Sequence, residues 1–247
     1  MENPSYIALS HQMALRRQMD MIANNIANVS TPSYKAERIL FSELVAAPPV
    51  IANVRGHGTR LSFVEEAGAL RDLRPGAMIQ TDNKLDIAIH GSGYFVVETP
   101  AGPRYTRLGN FQLDQNGRIS TPNGHLLLDQ ANQPMTVPPG DTRIEITPQG
   151  TITSDSGEIG RIRLVTFENE RLLRRIGDGL YEAEMEPIAA DPRTEVHQGM
   201  LEGSNVQAVA EITNMIEVLR RYQSAQRVLE TEHELRRRAV EKIARVG

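Results

Sequence analysis

Two apolar stripes of helical period stand at opposite ends of this 247-residue chain, and the long middle between them keeps a different period. Leu15, Met19, Ile22, Ile26 and Val29 recur at spacings of four and three, which lays one narrow ribbon along a single helix face. Ile212, Met215, Leu219, Tyr222 and Leu229 keep the same spacing, broken only at Gln226. Such a ribbon needs a cover, because burying each leucine or isoleucine contributes roughly 1.5–3 kcal/mol. With no third long helix in the chain, the simplest cover for each stripe is the other. The expectation is an antiparallel or staggered coiled-coil pair, one domain made from both chain ends.

Local signals set the helix limits. Asn3 followed by Pro4 suits a helix start, since asparagine caps free amides and proline at the first helical position loses no needed donor. Pro32 biases Thr31 away from helical angles, so the first helix is expected to stop near Ser30 after about 26 residues, roughly 39 Å. Ser204 and Gln207 form a capping-box pattern directly after Gly203. A second helix of about 40 residues, near 60 Å, would follow.

Between the helices the hydrophobic period falls to two. "LDIAIHGSGYFVVE" alternates Leu85, Ile87 and Ile89, breaks at Gly91 and Gly93, and resumes at Tyr94, which reads as two strands joined at a tight turn. Asn116-Gly117 and Asn123-Gly124 mark hairpin turns. The fold class expected is α+β: terminal helices forming a coiled coil, with an all-β meander or small barrel inserted between them. The divisions are 1–34 for the first helix, 35–84 for an extended connector bearing Pro48, Pro49, Gly56, Gly58 and Pro75, 85–184 for the β domain, 185–199 for a second connector, and 200–247 for the last helix.

Composition narrows the chemistry. There is no cysteine, so thiol nucleophiles, thiolate metal sites and disulfides are out. A net charge of −4 with both signs mixed points to neither nucleic acid nor an anionic membrane. The start, "MENPSYIALSHQ", has neither the basic nor the apolar region of a secretory signal, and no window reaches the roughly 18 apolar residues of a membrane span. His11, His57, His90, His125, His197 and His233 show no metal-ligand spacing. Asp82 and Asp86 form one carboxylate pair among many, and Arg236, Arg237, Arg238, Lys242 and Arg245 suit the carboxyl end of a helix dipole. No enzymatic constellation and no cofactor is expected.

Two helices alone bury little and are marginal in water, so a terminal pair needs neighbours. Asn24 and Asn28 lie four apart on one helix edge, with Asn25 close beside that line. Their amides both donate and accept, which suits an edge facing another subunit without burying charge. The expected assembly residues are therefore Leu15, Met19, Ile22, Asn24, Asn25, Ile26 and Asn28 with Ile212, Met215, Leu219 and Tyr222.

"ANNIANVSTPSYK", from Ala23 to Lys35, resembles the amino-terminal signature of the bacterial flagellar rod, hook and hook-associated axial proteins. "QGMLEGSNVQAVAEITNMIEVLRRYQSAQRVLE", from Gln198 to Glu230, resembles their carboxy-terminal signature. "LDIAIHGSGYF" and "YTRLGNFQLDQNGRI" are similar to the β segments of the rod branch, with the distal-rod and hook subunits as alternatives inside the family. The resemblance implies a structural rod subunit of the flagellar basal body, in the periplasmic space. It also implies export by the flagellar type III apparatus, polymerisation with other rod subunits, no nucleic acid and no membrane insertion. One departure stands out: the family usually carries glycine where this chain has Ser33, and glycine tolerates a left-handed backbone that serine resists. A cytosolic coiled-coil adaptor is the alternative from another class, distinguished by termini already helical and paired in the monomer.

Overall fold

The computed structural model describes residues 3–46 and 61–244. Pro48, Pro49, Gly56, His57, Gly58 and Arg245 lie outside the described residues. The chain forms two compact units: a helical one from residues 1–27, 37–72 and 207–247, and a β unit from 28–36 and 73–206. The nine residues joining the first helix to the first strand thus belong to the β unit.

In the helical unit, α1 (Asn3–Ala27) and α2 (Ala208–Ala244) pack through Leu15, Ile22 and Val218, with Met19, Ile26, Met215, Tyr222 and Ala225 against them. They run antiparallel: Asn25 meets Glu211, while His11 shares a cleft with Ala225 and Val228. α1 ends at Ala27 rather than near Ser30, because Asn28 to Ser30 close a turn in which Thr31 N–H donates to the Asn28 carbonyl at 3.1 Å. Val29 leaves the stripe and packs with Tyr34, Ala36 and Val206. α2 starts at Ala208, not at the expected cap. The Ser204 hydroxyl accepts from Val206 N–H at 3.2 Å, and the first helical bond runs from Glu211 N–H to the Gln207 carbonyl.

In the segment expected to be an extended connector, 35–84, the described residues include three strands. β1 (Glu37–Ala46) and β2 (Leu61–Arg71) form an antiparallel ribbon with Glu37 opposite Arg71 and a register shift at Leu40/Phe41. In the β unit, β3 (Met78–Gln80) pairs with Met200–Glu202, and β4 (Ile87–His90) with Glu195–Gln198. The second expected connector, 185–199, therefore supplies strands too. β4 and β5 (Tyr94–Thr99) are not a hairpin. Gly91 and Gly93 take positive φ and turn the chain into another ladder, where β5 pairs with β6 (Gly102–Thr106), Leu126–Leu127 and Leu164–Thr166.

Among the described residues all pairings are antiparallel, and ladders of the β unit curl around a core of Ile87, Ile89, Phe95, Val97, Phe111, Ile119, Leu127, Ile152 and Ile162. β5 is buried on both faces: Phe95 and Val97 point into that core, while Tyr94 and Val96 pack with Leu128, Val165, Phe167 and Leu173. A strand covered on two sides reads as a continuous apolar run, which is what "YFVV" is. The two expected hairpin turns form, with Gly117 and Gly124 at φ 76° and 84°.

Candidate assembly interface

On α2 the buried seam keeps Met215, Tyr222 and Leu229 and departs from the expected one at Ile212 and Leu219. Glu211, Met215, Val218, Tyr222, Ala225, Leu229 and Glu232 are the positions of reduced exposure, a heptad alternation of four and three. Val218 is 3% exposed, whereas Ile212 and Leu219, expected in the seam, are 48% and 42% exposed. They join Val209 and Ile216 in a second apolar stripe, about 100° around the helix from the seam at 3.6 residues per turn. On α1, Leu15, Met19, Ile22 and Ile26 pack against α2 within the chain.

The three asparagines divide. Asn24 is exposed and Asn28 half-buried, its Oδ1 accepting from the Thr31 hydroxyl at 3.2 Å. Asn25 is buried and turned inward. Its Nδ2 donates to the Glu37 carbonyl at 2.9 Å and lies 3.5 Å from Glu211 Oε2, while Glu37 N–H donates to its Oδ1 at 3.1 Å. The edge expected to face another subunit is, at Asn25, an intrachain dock. Around it, Gln18, Glu37, Arg38, Glu211, Asn214 and Arg221 line a polar cleft of about 530 Å³.

The β unit holds a polar cluster that sequence reasoning missed. Glu202 is 2% exposed. Its Oε1 accepts from Lys35 Nζ at 2.5 Å and from Gly76 N–H at 3.1 Å, and its Oε2 from Arg107 Nε at 2.8 Å. Arg107 also donates to the carbonyls of Gly93 and Gly91, at 3.0 and 3.1 Å. Lys35 donates to the Arg74 carbonyl at 3.0 Å. Burial pushes the Lys35 ammonium below its ordinary value, with Glu202 opposing. Burial alone would raise the Glu202 carboxyl, yet Arg107 and Lys35 together hold it below the usual range. One carboxylate between two cations stays ionised.

Each member sits inside a motif singled out above: Lys35 ends "ANNIANVSTPSYK", Arg107 lies in "YTRLGN", and Glu202 lies in "QGMLEGSN". The single charged residue in each of these three stretches was the available signal. Ser33, the departure from glycine, does take the left-handed backbone, φ 54°, and its hydroxyl donates to the Arg107 carbonyl at 2.7 Å.

Other candidates are absorbed by local structure. Asp82 Oδ1 accepts from Gln80 Nε2, and Asp86 Oδ1 from Asn83 Nδ2. Near the end of α2, Arg237 and Arg238 pair with Glu241 and Glu234 one turn away. Among the described residues no group of three or more His, Asp or Glu side chains is placed to hold a metal ion. No described helix is long and apolar enough to cross a membrane.

Paired terminal helices with an uncovered second stripe, and a β unit inserted between them, define a structural subunit. Residues 6–35 match the family described as "Flagella basal body rod protein", 88–154 the "Flagellar hook protein FlgE/F/G D1 domain", and 197–241 the "Flagellar basal body rod FlgEFG protein C-terminal". The chain is 36% identical to the flagellar basal-body rod protein FlgF of Caulobacter vibrioides over the whole of both chains. It is 31% identical to FlgF of Mesorhizobium japonicum over 91% of this chain and 90% of that one. The flagellar basal-body rod protein FlgG of Agrobacterium fabrum is 32% identical over 93% of this chain and 95% of its own. The chain belongs to the flagellar basal-body rod protein family, most like FlgF, and its place is the rod of the basal body.

Proposed function

We propose that this chain is an axial subunit of the flagellar rod that leaves the cytoplasm by the flagellar type III route, joins copies of itself and other rod proteins in the periplasm, and transmits torque. The observation that carries the reading is the second stripe on α2: Val209, Ile212, Ile216 and Leu219 are exposed at 81, 48, 47 and 42% in a chain whose relatives are named as rod proteins. Covering a wholly exposed side chain of this kind is worth roughly 1.5–3 kcal/mol, and Ile212, Ile216 and Leu219, already part covered, would each gain a part of that. A neighbouring subunit would supply the cover, and torque would pass through many such packed contacts.

In this reading Leu15, Met19, Ile22 and Ile26 on α1, with Met215 and Tyr222 on α2, hold the two helices as a coiled coil. Ile212, Leu219 and the exposed Asn24 face neighbours, and Asn28 stays with its own turn. The test is Ile216→Asp in the full chain, expected to keep the wild-type melting curve and to be absent from purified basal bodies. Normal incorporation of Ile216→Asp would sink the role given to the stripe. Ile22→Asp is expected to fail differently, losing helix as well as incorporation.

A further inference from the structure

The nine residues between α1 and β1 are bound to the β unit in the manner of a docked peptide, not as part of a sheet. Ser33 N–H donates to the Glu202 carbonyl at 2.7 Å, and Asn205 N–H to the Tyr34 carbonyl at 3.2 Å. Ala36 N–H donates to Asn205 Oδ1 at 2.8 Å. Arg175 lies over the Tyr34 ring at 4.7 Å. Every one of these partners is distant in sequence.

The clasp itself is uneven. Arg107 is anchored by several backbone carbonyls besides Glu202. Lys35 has the Arg74 carbonyl and Glu202. A buried ammonium left with one carbonyl is a costly arrangement, because desolvation is then opposed by too little. The arm that depends on Glu202 is therefore the Lys35 arm, and it carries the segment whose backbone is already held in the left-handed region at Ser33.

We infer that Ser33–Ala36 is a strap with two states, closed on the β unit through Glu202 as its keystone and able to open while the β core stays folded. The inference holds whether or not the chain enters a rod. Its basis is that the strap adds no strand to any ladder, so no sheet pairing must break when it lifts. Local opening of such units below the global unfolding free energy is an ordinary property of folded chains.

Amide exchange on the full chain tests it. The strap reporters are the amides of Ser33, Ala36 and Asn205. The core reporters are Leu128 and Met135, which donate to Val96 and Leu127. In wild-type protein at low denaturant, strap amides are expected to exchange through an opening with weaker denaturant dependence than the core. Glu202→Gln should speed strap exchange at least about tenfold, corresponding to a lost contribution of the size expected for a charge-assisted bond, with the strap set still less dependent on denaturant than the core set. Glu182→Gln, at the more exposed ion pair with Arg104 and Arg174, should leave both sets alone. Unchanged strap exchange in Glu202→Gln would overturn the inference, as would strap amides that share the denaturant dependence of the core. Should that variant not fold, the wild-type experiment decides: identical denaturant dependence for the two sets means there is no separate strap.

Discussion

The side-chain amide of Asn25 and the main chain of Glu37 exchange two hydrogen bonds, 2.9 Å from Nδ2 to the carbonyl oxygen and 3.1 Å from the amide N–H to Oδ1. An asparagine on the last turn of α1 thus plays the part of one strand residue at the start of β1. Asn25→Ala leaves both Glu37 groups without that partner, and the expected loss is about 1–3 kcal/mol of helical-unit stability. Asn25→Asp should cost more at neutral pH, since it sets a carboxylate against Glu211 and the Glu37 carbonyl. Asn24→Ala, at an exposed position, should stay within about 0.5 kcal/mol of wild type. Thermal melts followed at 222 nm check all three.

Val218 and Leu219 are neighbours with opposite duties. Val218 is 3% exposed in the helix seam, so Val218→Ala removes buried methyls and should cost about 1–3 kcal/mol. Leu219→Ala should change the melt by no more than about 0.5 kcal/mol while lowering rod incorporation. Equal melting shifts for the two variants would return Leu219 to the seam.

That one-residue offset shows what sequence could and could not carry. The existence and period of both helices were legible, because Leu15, Met19, Ile22 and Ile26 form an unbroken stripe. On α2 the buried line runs through Glu211, Ala225 and Glu232, which give no apolar signal, while Ile212 and Leu219 give a strong one outside it. The hairpins at Asn116-Gly117 and Asn123-Gly124 were legible because their chemistry is local. The pairing of β4 with Glu195–Gln198 was not, since two short strands far apart in sequence carry no mark of each other. The ion cluster was hidden for the same reason: Lys35, Arg107 and Glu202 become one object only after folding.

Acid should act on that cluster with a definite sign. The Glu202 carboxyl is held below its ordinary value of 4.5 by Arg107 and Lys35 against the opposing effect of burial. The unfolded chain therefore takes up the proton first, and stability contributed by this group is complete above 4.5 and lost as pH falls through the lower folded value. Asp114, Asp141, Asp155 and Glu182 are shifted the same way, so the whole chain weakens in acid. The difference between wild type and Glu202→Gln isolates one group. It should be constant above about pH 5.5, roughly one unit over the ordinary value, and shrink steadily below 4.5 in melts taken from pH 7 to 3. A gap independent of pH would mean that Glu202 binds its proton equally well in the folded and unfolded chains.

Ser33 balances two effects that substitution can separate. Its left-handed backbone, φ 54°, costs a residue with a Cβ roughly 1–2 kcal/mol, and its hydroxyl bond to the Arg107 carbonyl, 2.7 Å in a buried setting, returns about 0.5–1.5 kcal/mol. Ser33→Gly trades one for the other and should fall within about 1 kcal/mol of wild type. Ser33→Ala keeps the strain and loses the bond, leaving the Arg107 carbonyl short of a donor, so it should be destabilised by about 1–3 kcal/mol. Ser33→Val adds a β-branched side chain at positive φ and should be the worst of the three. Denaturant melts of the full chain rank them, and an alanine variant as stable as the glycine one would show that the backbone angle does not govern this turn.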